Sequence, residues 1–73
     1  MPMIIGRRYR ALLLDGGDVA LFEGSATDRP VVIVGIQAGQ LWRDLEGLAG
    51  GAPVDALIKP YLRVAPTRRG GGD

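Results

Sequence analysis

From Arg8 to Leu14 the chain runs Arg-Tyr-Arg-Ala-Leu-Leu-Leu, polar at first and then continuously apolar, which reads as a strand. Asp15-Gly16-Gly17-Asp18 follows as a turn, because glycine tolerates the positive φ that a tight hairpin requires. Val19 to Glu23 reads as the returning strand, so the first structural unit is an antiparallel hairpin. Gly24 to Arg29 is a polar loop closed by Pro30, and Val31 to Val34 is a β-branched run. With no polar residue alternating in it, that run predicts a buried third strand pairing with the hairpin.

From Ala38 the period lengthens. Leu41, Leu45 and Leu48 recur at i, i+4 and i+7, the apolar stripe of a helix, with Trp42 beside it and Arg43, Asp44 and Glu46 around the other side. Gly50-Gly51 is expected to end this helix. Pro53 is placed to open a second, whose stripe is Val54, Leu57, Ile58 and Tyr61. Pro60 lacks an N–H and crowds the preceding turn, so this helix is expected to be short or kinked near Lys59. The predicted fold is therefore α+β: a small three-stranded antiparallel sheet followed by two short helices. Residues 1–65 form a single compact domain and 66–73, rich in Arg and Gly, a disordered tail.

Composition narrows the chemistry. The 73 residues contain no histidine and no cysteine. There is no imidazole to shuttle protons, no thiolate nucleophile, no disulfide and no thiolate metal ligand. Asp15, Asp18 and Asp28 sit in turns and loops, Ser25 has no histidine partner, and Lys59 stands alone as a base. The sequence thus predicts a protein without catalysis, cofactor, metal or small-molecule substrate. Gly35-x-x-x-Gly39 ahead of a helix lacks both the Gly-x-Gly-x-x-Gly spacing and the P-loop Lys-Ser/Thr pair, and reads as an ordinary strand-to-helix turn. No apolar run approaches the ~20 residues that span a bilayer, and the N-terminus has the wrong order for a secretory signal. The expected location is the cytoplasm.

Binding is the remaining theme. The net charge is only +1, yet Arg7, Arg8, Arg10, Arg63, Arg68 and Arg69 crowd the ends, while the middle is acidic. The segment Arg7-Arg8-Tyr9-Arg10 has two readings: a contact surface for phosphate or an acidic partner, and a solvated edge strand charged against aggregation. Trp42 beside Arg43 has two as well: an interface anchor, and a side chain partly buried over a small core. The expected partner-binding site is an apolar groove between sheet and helices with arginines at its rim: Tyr9, Trp42 and Arg43 as anchors, and Arg7, Arg8 and Arg10 steering association with an acidic surface.

In size and character, from the Arg7–Arg10 segment through the Leu41–Leu48 helix to the Arg68–Gly72 tail, the chain resembles small phage-encoded regulators of bacterial transcription. That resemblance implies binding to RNA polymerase, inhibition of initiation and antitermination. It supplies no residue roles; those above come from the sequence itself. Two other classes are open: a small antitoxin-like nucleic-acid-binding regulator, whose affinity should fall steeply with salt, and a subunit of a larger assembly.

Overall fold

A computed structural model describes residues 2–25 and 28–64, so the expected tail over 66–73 lies outside the described residues. The chain is α+β, with strands β1 (Met3–Ile5), β2 (Tyr9–Leu13), β3 (Val19–Glu23) and β4 (Val31–Ile33), then helices α1 (Gly35–Glu46) and α2 (Ala52–Val64). The strands form one antiparallel sheet in the order β1-β2-β3-β4.

The sheet has four strands where the sequence predicts three. The addition is β1, three residues long and therefore too short to show a period. It is joined to β2 through a tight turn in which the Gly6 N–H donates to the Tyr9 carbonyl at 2.8 Å. The hairpin between β2 and β3 forms as expected. Leu14 N–H donates to the Asp18 carbonyl at 2.8 Å, and Gly16 and Gly17 both adopt positive φ (92° and 95°).

Both helices lie against one face of the sheet. Register puts Ile4, Ala11, Leu21 and Val31 in one row facing them, and Leu13, Val19 and Ile33 in the next. These rows meet Ala38, Leu41, Trp42 and Leu45 of α1, spaced i, i+3, i+4 and i+7, and Val54 and Ile58 of α2. Tyr9, Leu48, Leu57, Tyr61 and Leu62 close the margins of this core.

Three boundaries differ from the sequence reading. α1 begins at Gly35 rather than near Ala38, because Gly35, Ile36 and Gln37 are exposed and so leave no stripe. It ends at a Gly47 cap rather than at Gly50-Gly51, with Gly47 N–H donating to the Asp44 carbonyl at 3.2 Å. α2 is neither short nor kinked to a stop: it runs through Pro60 to Val64. Pro60 and Ala56 both lie on the exposed side of α2, so the carbonyl that Pro60 leaves without an intrahelical donor is open to water. Val54, Leu57, Ile58 and Tyr61 keep their grip on the core along the opposite side.

Leu45 is fully buried at the centre of this core, and Leu-to-Ala changes at such sites cost about 2–5 kcal/mol. A domain of this size has about 3–5 kcal/mol in all. Leu45→Ala is therefore expected to lose most of the fold's stability, so that a urea titration at 25 °C followed by circular dichroism finds its midpoint shifted close to zero urea. Val32→Ser, on the open side of the sheet, should shift stability by no more than about 0.5 kcal/mol.

Candidate protein-docking face

Among the described residues no helix lies on the second face of the sheet, yet that face is apolar. Register aligns Met3, Leu12, Ala20 and Val32 in one row across all four strands, and Ile5, Arg10 and Phe22 in a second. Ala20 is buried and Leu12, Arg10 and Phe22 are half-buried, but none of the seven joins the cluster packed against the helices. Met3, Ile5 and Val32 remain 43%, 58% and 45% exposed, and Val34 and Ile36 extend the exposed apolar surface past the end of β4. The β-branched run from Val31 lacks alternation because Val31 and Ile33 face the core while Val32 and Val34 face outward. It is an edge strand with two apolar sides, not the buried strand its composition suggests.

Arg10 is the one charged residue in these two rows. Its guanidinium carbon lies 5.1 Å from the centroid of the Phe22 ring, directly across the register, and its Nε–H donates to the Gly24 carbonyl at 2.7 Å. The charge is thus held flat on an aromatic surface with its orientation fixed.

The β1–β2 turn beside it is pinned from the helix side. Asp55, in the first turn of α2, accepts from three successive backbone N–H groups. Arg7 N–H donates to Oδ2 at 2.9 Å, Arg8 N–H to both oxygens at 3.0 and 3.1 Å, and Tyr9 N–H to Oδ1 at 3.0 Å. Gly6 is required here, since a Cβ at that position would run into the Asp55 carboxylate. Gly50 and Gly51 (φ 92° and 77°) bring the start of α2 close enough, and Gly51 N–H donates to the Ile5 carbonyl at 3.3 Å. Desolvation is the largest single influence on Asp55 and pushes its carboxyl up. The N–H donors of Arg8, Tyr9 and Arg7, together with the Arg8 guanidinium, outweigh it and hold the group below its ordinary 3.8.

The six sequence-predicted binding residues do not converge. Arg7 and Arg8 are exposed in the β1–β2 turn, Arg10 lies on the open sheet face, and Arg43 is exposed on α1. Tyr9 faces the core, and Trp42 is only 8% exposed within it, so neither is presented to a partner. The expected groove between sheet and helices is the filled core. Among the described residues, the helix side has open hollows along α2 at Ala56, Lys59, Pro60 and Arg63 and between the helices at Leu48, Pro53 and Leu57. The residues that sequence reasoning missed are the outward ones: Met3, Ile5, Leu12, Phe22 and Val32. Their signal was present in the unbroken apolar runs, which two helices of 12 and 13 residues cannot cover on both sides.

Among the described residues, no three acidic side chains come together in a metal-binding arrangement, and no helix is long and apolar enough to cross a membrane. No known protein family, curated protein or solved structure matches the chain.

A carboxyl held below its ordinary value stabilises the fold at neutral pH, and that stabilisation is lost as pH falls through the ordinary range to the lower native value. Asp55→Asn keeps the shape but turns a donor toward the Arg7 and Arg8 N–H groups. It is expected to melt below the native protein at pH 7, and the gap in Tm should narrow as pH drops below about 4. Thermal melts from pH 7 to about pH 2 read this directly; a gap that stays constant would remove the carboxylate from the account.

Proposed function

We propose that the protein is a non-catalytic docking module that presents its open sheet face to a protein partner. The observation that carries this reading is the exposed apolar side chains at the two edges of the open face, Met3 and Ile5 of β1 and Val32 of β4, on the side that no described helix covers. Exposed apolar patches of this kind on small proteins mark interaction sites. Arg10 on the face, and Arg7 and Arg8 at the adjoining turn, favour a partner with carboxylates at one end of an apolar surface, and steer its approach.

The resemblance to phage-encoded transcription regulators makes bacterial RNA polymerase the first partner to test, in the bacterial cytoplasm, with inhibition of initiation and antitermination as the activities. The mechanism would be preferential binding to one of the enzyme's states, since a ligand shifts an equilibrium only through differential affinity. A protein partner is favoured over nucleic acid because the large exposed surface is apolar, whereas duplex binding draws on a basic tract along the phosphates.

Binding of purified polymerase to immobilised protein, paired with a transcription assay from a single promoter, tests both parts. Val32→Asp should weaken binding by at least about tenfold, equivalent to about 1.4 kcal/mol. Reversing Arg7, Arg8 and Arg10 together should slow association and flatten its salt dependence, with less effect on dissociation. Polymerase binding that Val32→Asp leaves intact would remove the sheet face from the mechanism. No binding at all would remove polymerase as the partner.

A further inference from the structure

The open face has opposite charges at its two ends. At the β1–β2 end lies the row Ile5, Arg10, Phe22, with Arg7 and Arg8 in the turn beyond. At the β2–β3 end, strand alternation continues the outward positions from Leu12 to Leu14 and from Ala20 to Asp18, with Asp15 in the turn beyond. Between the two ends runs the apolar row Met3, Leu12, Ala20, Val32.

Such a face is complementary to itself in one sense only. When two copies stack face to face, the two-fold axis lies in the plane between them. An axis parallel to the strands would superimpose arginine end on arginine end. An axis perpendicular to the strands reverses one copy, so that the Arg10 row of each lies over the Asp18 row of the other, with the apolar rows packed at the centre.

We infer that the protein pairs with a second copy of itself in this reversed, face-to-face arrangement, which covers the docking face. The link to docking rests on the reading given above; the pairing itself rests on the charge layout and the apolar row. The nine positions of these three rows, each about 4.8 Å by 6.8 Å, give roughly 300 Å² of face per copy. Two such faces fall below the ~1,200 Å² lower bound of stable interfaces. The dimer is therefore weak and concentration-dependent, as a cover that yields to a partner must be.

Sedimentation equilibrium of the full chain from about 10 μM to about 1 mM tests the pairing. The average mass should rise from the 7.7 kDa of one chain toward twice that value. Arg10→Asp and Asp18→Arg should each abolish the rise, because each places like charges opposite one another in both contacts. An equimolar mixture of these two variants should restore it, because every new charge then meets its opposite on the other chain. Val32→Asp should abolish the rise without touching either charged end, so the test stands even if replacing Arg10 disturbs the fold, which circular dichroism reports. A mass fixed at one chain throughout, self-association untouched by Val32→Asp, or a mixture of folded variants that stays monomeric would each overturn the inference. Polymerase plays no part in this assay, so the pairing and the docking reading fail separately.

Discussion

The arrangement depends on one carboxylate. Asp55 gathers the backbone N–H groups of Arg7, Arg8 and Tyr9, residues 46 to 48 positions away in sequence, and fastens the first turn of α2 to the first hairpin. Beyond it, the first hairpin and the start of α2 are joined by the Gly51 N–H donating to the Ile5 carbonyl and by packing. β1 and β2 are neighbours through a turn of a few residues, and α2 arrives after the rest of the sheet and α1 have been laid down. Without a polar fastening, three N–H groups at a tight turn would face a helix with no acceptor between them. Gly6 and Gly50 leave room for this approach where a Cβ would crowd Asp55 or the Ile5 carbonyl, and Gly51 supplies the positive φ from which α2 starts.

That fastening decides where the arginines go. With their N–H groups directed at Asp55, Arg7 and Arg8 hold an exposed turn at the edge of the domain. Tyr9 turns inward and Arg10 outward, as strand alternation demands. The result is a division of labour between the two sides of the sheet. One side is closed by Leu41, Leu45, Val54 and Ile58; the other keeps a flat apolar surface whose single guanidinium is braced by Phe22 and Gly24.

Much of this was legible in the sequence, and the rest was hidden for identifiable reasons. The hairpin around Gly16-Gly17, the α2 stripe and Leu41 and Leu45 of α1 follow from local signals and appear where those signals place them, whereas Leu48 falls past the end of α1. β1 was hidden because Met3–Ile5 is too short for any period. The persistence of α2 through Pro60 depends on which side of the helix the proline occupies, a tertiary fact. Trp42 and Arg43 are adjacent in sequence but separated by about 100° on α1, so one is buried and the other exposed. The open face was the hardest part to read. An apolar run in a strand means burial on both sides only when the chain supplies a layer for each, and the described residues supply one.

A sheet that is apolar on both sides gives up the usual means of fixing strand register. In most antiparallel sheets a slip of one residue drives polar groups inward and is rejected by their desolvation. Here a slip in β4 would exchange Val31 and Ile33 for Val32 and Val34, side chains of nearly the same size and character. Register must come from the corners instead: from Pro30 ahead of β4, from the positive φ of Gly35 where the strand turns into α1, from the Leu14–Asp18 closure, and from the carboxylate that fixes Arg7 to Tyr9. Substitutions in the middle of these strands should therefore change what the sheet touches, while substitutions at its corners change which residues do the touching.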